Sequence, residues 1–349
     1  MRQALKISAF GTVMAAAIAL PAALAIAQGA ANNSNTAPNP YKAQDNWVKP
    51  AMGRPFGSTI GIDIDKDGSS IWVFDRCGGN DCTNSKVAPI QKFDAQGRLV
   101  IAFGSNMINY PHGLHVDRDG NIWVTDNRGT PARPGRPGEA RPGRGHTVMK
   151  FSPDGRLLMT LGTPGVAGAT ETTFNAPCDV YVAQDGSIFV ADGHGGMTNA
   201  RVVKFDRTGK FIKAWGTPGS GQGQFNEPHG LAMDSQGRLF VADRGNNRIQ
   251  IFDQEGKFLA EWKQFGRPSG IFIDRNDVLY VADSQSGPEE NENPDFKQGI
   301  RVGNAKDGRV TAFIEEKQYI GSLEGTAADP AGNVYAGYTG AQFFRRFSK

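Results

Sequence analysis

Residues Glu227 to Phe252 read EPHGLAMDSQGRLFVADRGNNRIQIF. The stretch holds a Pro-x-Gly lead into an apolar run, a turn rich in Asp and Gly, and the strands RLFVAD and RIQIF divided by a second turn. Apolar residues alternate with small or polar ones in each run, which is the period of half-buried β-structure. KFLAEW, from Lys257 to Trp262, completes a four-stranded unit.

The same phrase recurs along the chain. Lead segments begin near Thr59, Pro111, Pro177, Pro228, Pro268 and Leu323. Second strands follow as IWVFD to Asp75, IWVTD to Asp126, IFVAD to Asp192, LFVAD to Asp243, LYVAD to Asp283 and the weaker VYAGY to Tyr338. Third strands read IQKFD, VMKFS, VVKFD, IQIFD, IRVGN and FFRRF. A period of roughly 40 to 50 residues with four strands per unit marks a β-propeller. The spacing therefore predicts an all-β, six-bladed propeller with four antiparallel strands per blade, occupying 46–349 as one domain. The chain ends soon after FFRRF, so the sixth blade lacks its own fourth strand. An uncovered edge is a liability, and the segment around Asn46 to Lys49 is expected to supply the missing strand and latch the first blade to the last.

Residues 1–27 read as a signal peptide: Arg2 and Lys6 precede an apolar run from Ile7 to Leu24, and Ala25-Ile26-Ala27 supplies the cleavage pattern. Pro21 and the small-residue exit favour cleavage after Ala27 over a membrane anchor. The expectation is a periplasmic or secreted protein with no membrane attachment after cleavage. Residues 28–45 are polar and poor in large apolar groups, and read as a disordered leader. The formal charge is +3; with Arg2 and Lys6 gone from the 38 basic residues, 36 face 35 acidic ones. That balance gives a nucleic-acid partner no electrostatic support. Export permits a disulfide between Cys77 and Cys82 in RCGGNDC, against two free thiols or half a metal site with no matching pair downstream. Cys178 is left over.

Antiparallel alternation brings the start of each first strand, the end of each second strand and the loop after it to one face. The residue before the lead glycine, or its aligned equivalent, is Ile60, His112, Cys178, His229, Ser269 and Glu324 in blades 1 to 6. Blades 2, 4 and 6 thus present His112, His229 and Glu324 around one channel mouth. Two imidazoles and a carboxylate on one side suit a divalent transition metal with positions left open. The plainer alternative is a histidine hydrogen-bonded to nearby backbone and a solvated glutamate. His115, one step along the alternation, is assigned to the blade interior. Just past the second-strand Asp come Arg76, Asn127 and Arg244, while blade 3 has Gly193 followed by His194. Two guanidiniums there would suit a carboxylate, or could serve as structural bridges. Long loops after the second strands of blades 1, 2 and 5 lie on the same face, where loops can shape a cleft.

YPHGLHVDRDGNIWVTD, DVYVAQDGSIFVADG, FNEPHGLAMD and VADRGNNRIQIFD resemble the NHL-repeat propellers, and within them the peptidyl-α-hydroxyglycine α-amidating lyases, also called peptidylamidoglycolate lyases. The resemblance covers nearly all of the mature chain. It implies zinc, or another divalent metal, on His112 and His229, with Glu324 standing where the family has a third histidine. It implies active-site arginines at Arg76 and Arg244, and places His194 where the family has a catalytic tyrosine. The family's calcium is not carried over, because the aspartate that helps hold it is Gly325 here. The implied reaction cleaves the N–C bond of a carbinolamide, R-CO-NH-CH(OH)-COO⁻, to an amide and glyoxylate, on a peptide or small substrate bearing a carboxylate. Two other functions stay open: a non-catalytic propeller binding a protein, peptide or glycan through its loop-rich face, and a lactonase of the gluconolactonase type.

Overall fold

The computed structural model describes Met1 and residues 31–45, 47–50, 53–129, 143–288, 292–316, 321–341 and 343–349. It is all-β, with six four-stranded antiparallel sheets arranged as a β-propeller. The first strands are Thr59–Ile64, Pro111–Val116, Pro177–Val182, Pro228–Met233, Pro268–Ile273 and Ser322–Ala328, each in contact with the next and the last with the first. The second strands, Ile71–Asp75, Ile122–Asp126, Ile188–Asp192, Leu239–Asp243, Val278–Asp283 and Val334–Thr339, carry most of the core. Their side chains reach both faces of each blade, so the core divides into six apolar clusters, one between each pair of neighbouring blades. Trp72, Phe74, Trp123, Phe189 and Phe240 are buried there, each contributing about 2 to 3 kcal/mol by removal from water. Among the described residues no helix is long and apolar enough to cross a membrane.

Ring closure uses the N-terminal chain, but not the part the sequence points to. Lys42–Asp45 pairs antiparallel with Phe344–Ser348 and becomes the outer strand of blade 6. The closing strand therefore lies ahead of the expected Asn46 to Lys49. The leader expected to be disordered over 28–45 carries a 3-10 turn at Ala31–Thr36 and this strand. Backbone pairing orders a polar segment whose composition alone would leave it free. Trp47 and Val48 pack instead beside Tyr335 and the blade 1 core. The expected signal peptide falls on residues that, Met1 apart, lie outside the described ones, as do 130–142 of the blade 2 loop.

The aspartates that close the second strands are fixtures of the fold. Asp75, Asp126, Asp192, Asp243 and Asp283 are wholly buried. The first four accept backbone N–H bonds from the segment leading into their own blade: Asp75 from Gly57, Asp126 from Asn109 and Tyr110, Asp192 from Asn175, Asp243 from Asn226. Arginines complete four of the sites: Arg54 on Asp75, Arg201 on Asp192, Arg248 on Asp243 and Arg301 on Asp283, at 2.7 to 2.8 Å.

Candidate active site

Every first strand breaks register at its start. The shifts fall between Thr59 and Gly61, Pro111 and Leu114, Pro177 and Asp179, Pro228 and Gly230, Pro268 and Ile271, and Leu323 and Thr326. The residue released at each bulge is Ile60, His112, Cys178, His229, Ser269 or Glu324, the same six that the alignment of repeats groups together. A β-bulge re-aims a side chain away from the regular alternation, and here it turns six of them toward the channel.

The glycine after each histidine has a steric cause. A Cβ on Gly113 would lie 2.6 Å from the carbonyl oxygen of Cys178, and one on Gly230 would lie 2.6 Å from that of Ser269. Because the neighbouring backbone approaches so closely, it meets the histidines too. His112 Nδ1 is 2.8 Å from the Cys178 carbonyl and His229 Nδ1 is 3.3 Å from the Ser269 carbonyl. A carbonyl can only accept, so each Nδ1 carries the proton and each Nε2 keeps a bare lone pair. Both Nε2 atoms are buried without a hydrogen-bond partner. They converge on Glu324: Oε1 is 3.1 Å from His229 Nε2, without hydrogen-bond alignment, and 4.0 Å from His112 Nε2. Glu324 is steadied by Ser269 Oγ at 3.1 Å on Oε2 and Arg244 Nη1 at 3.6 Å. Imidazoles with Nδ1 tied to a carbonyl and Nε2 free are the usual form of metal-bound histidine, and these residues fit a divalent ion.

Electrostatics supports the same protonation states. Burial, then His229 and His194, pull His112 well below the ordinary histidine value. Burial and Arg244 lower His229. Burial alone would raise the Glu324 carboxyl, but His229, Arg244 and His112 outweigh it and hold it well below the usual carboxylate range.

His194 joins the group. Its ring centroid lies 5.0 Å from that of His112 and 5.2 Å from that of His229. Arg244 Nη2 is 3.4 Å from His194 Nε2, and Glu227 Oε1 is 3.8 Å from Nδ1. Burial, His229 and Arg244 pull its pKa down to about 3.

The two arginines differ. Arg244 grips Glu227 with Nε at 3.1 Å and Nη2 at 3.2 Å, so the bridging alternative describes most of its charge. Arg76 stacks its guanidinium 3.8 Å from the centre of the Tyr110 ring and donates to Asn80 Oδ1 at 2.8 Å and the Pro111 carbonyl at 3.1 Å. It makes no ion pair among the described residues. Asn80 lies between Cys77 and Cys82, which the structure joins in a disulfide with a Cα–Cα distance of 5.3 Å. Sequence reasoning missed Glu227, Tyr110 and Arg267, whose Nη2 is 3.6 Å from Glu227. All three occupy the position before the lead proline, a shared register that was there to be read. His115, expected in the blade interior, instead lines the same cavity as His112, its Nδ1 3.1 Å from Asp63 of blade 1.

The NHL repeat family model matches residues 225–252, the stretch quoted first. This chain is a six-bladed β-propeller that carries an NHL repeat. Among curated relatives, mouse NHL repeat-containing protein 3 is 32% identical over 212 residues, 59% of this chain and 55% of that protein. Peptidyl-glycine alpha-amidating monooxygenase B of Xenopus laevis is 33% identical over 269 residues, 72% of this chain and 27% of that one. A probable peptidyl-alpha-hydroxyglycine alpha-amidating lyase of Caenorhabditis elegans is 29% identical over 304 residues, 81% of this chain and 71% of that one. The propeller therefore resembles proteins named as amidating lyases, while its match spans about half the length of NHL repeat-containing protein 3. A gluconolactonase of Xanthomonas campestris superposes with a TM-score of 0.57 at 15% identity, covering 91% of this chain and 92% of that one. Virginiamycin B lyase from Staphylococcus aureus does so with a TM-score of 0.54 at 14% identity, covering 88% and 99%. These two likenesses concern the fold alone.

Proposed function

We propose that this propeller is an exported, metal-dependent lyase that cleaves the N–C bond of a carbinolamide or a related carboxylate-bearing α-hydroxy substrate. The observation that carries the reading is the pair of bare, buried Nε2 atoms of His112 and His229 converging on Glu324. Similarity to proteins named as α-amidating lyases supports the choice of reaction.

His112, His229 and Glu324 would hold the ion; when bound, zinc or a like cation would polarise the substrate hydroxyl and lower its pKa. Arg76 takes the substrate carboxylate. Its guanidinium plane is fixed by the Tyr110 ring and by Asn80, which suits a planar anion. His194 is assigned the proton transfer, taking the hydroxyl proton, with Glu227 Oε1 3.8 Å from its Nδ1 to offset the charge it gains. The same proton passes to the amide nitrogen as the N–C bond breaks, which balances the products, amide and glyoxylate.

The test is glyoxylate release from an N-acyl-α-hydroxyglycine, against the same substrate in buffer. The reading expects release well above the buffer rate in the zinc-loaded protein, and loss of at least about 100-fold on His112→Ala. Release at the buffer rate by folded, metal-loaded protein contradicts it.

A further inference from the structure

Cys178 holds in blade 3 the bulge position that His112 holds in blade 2 and His229 in blade 4. It therefore stands between the two histidines around the ring. One donor atom from each of His112, Cys178, His194 and His229 lies within 4.8 Å of the others. The edges of a tetrahedron built on bonds of 2.0 to 2.3 Å measure about 3.3 to 3.8 Å, so modest side-chain movement closes the group on an ion. The thiol is wholly buried and unpaired, while Cys77 and Cys82 are bonded to each other.

We propose that Cys178 is a ligand of the ion assigned to His112 and His229, so that the site selects a thiophilic metal of the zinc class. The inference rests on the metal reading above. Two independent features point to it: the orphaned Nε2 atoms on either side, and the surroundings of the sulfur. Sγ contacts the Gly193 carbonyl at 3.2 Å and the Asn127 amide nitrogen at 3.7 Å. As the sulfur–metal bond forms, the thiol proton leaves to solvent and the Asn127 amide remains as a donor to the thiolate. Two neutral imidazoles, one thiolate and the Glu324 carboxylate then neutralise a dication. His194 is the poorer ligand, because Arg244 Nη2 already faces its Nε2. Glu324, anchored from outside by Ser269 and Arg244, is the donor that substrate displaces.

The experiment replaces the bound ion of the full chain with cobalt(II) and records the absorption spectrum of wild type and Cys178→Ser. The proposal expects a near-ultraviolet thiolate-to-cobalt band in wild type that disappears in the variant, and zinc affinity at least about tenfold weaker in the variant. Zinc-edge X-ray absorption of wild type needs no variant: one sulfur at about 2.3 Å is expected. Cobalt bands without the thiolate transition, or a zinc shell of nitrogen and oxygen alone, overturn the Cys178 assignment and leave the metal reading standing. Failure to bind zinc or cobalt at all overturns both.

Discussion

Arg76 and Arg244 follow the same aspartate in their repeats, yet only Arg76 is free of a carboxylate partner among the described residues. Arg76→Ala is therefore expected to raise KM for a carboxylate substrate by about 10- to 100-fold, with Arg76→Lys recovering part of it, since lysine lacks the planar fork. Equal KM values in wild type and Arg76→Ala would remove Arg76 from substrate recognition. Glu227 carries a pH signature. Burial opposes its ionisation, but Arg244 holds its pKa down from 4.5 to about 2. A depressed carboxyl stabilises the fold above its unfolded value, and that contribution is lost as pH falls from about 4.5 to about 2. Thermal unfolding of Glu227→Gln should show lower stability at pH 7, on the order of 1.5 to 3 kcal/mol, and a shallower acid limb than wild type. Parallel acid limbs would contradict the coupling. His112 and His229 were legible because both sit in PHG, whose proline and glycine mark the bulge. Cys178 was legible in the same column, but the roles of Glu227 and Tyr110 were not, because their register before the lead proline shows no partner until folding brings Arg244 and Arg76 against them, 17 and 34 residues away in sequence.

At the scale of the strand, pattern served unevenly. The second strands announce themselves as Val- and Ala-rich runs ending in Asp, and the structure gives that Asp a structural reason. Asp243 is wholly buried, bonds the Asn226 amide and pairs with Arg248. Asp243→Ala should cost about 3 to 5 kcal/mol by leaving Arg248 buried and unpaired, measured by denaturant unfolding; a cost below about 1 kcal/mol would show that the pair is dispensable. The closing strand Lys42–Asp45 was illegible because KAQD has no apolar alternation and all four side chains are exposed. Its hold is backbone pairing with Phe344–Ser348, helped by Asp45 on Arg345. Removing residues 31–45 should lower the melting temperature by several degrees, and an unchanged melting temperature would show that blade 6 does not need it.

On the scale of the whole ring, repetition made the architecture readable, since a unit that cannot bury its own faces must stack on copies of itself. The same repetition places one side chain per blade at the channel mouth, so the composition of a single aligned column predicts the site: Ile60, His112, Cys178, His229, Ser269, Glu324. What the column cannot convey is how neighbours constrain one another, as when the Cys178 and Ser269 carbonyls fix the tautomers of His112 and His229. We propose that this column holds one metal ion. The direct measurement is metal content of protein purified without a histidine tag, beside the His112→Ala/His229→Ala double variant. About one zinc-class ion per chain in wild type and none in the variant is the result expected. Folded wild type that stays metal-free after zinc is supplied, or a variant that keeps the same content, would exclude a metal ion held by this column.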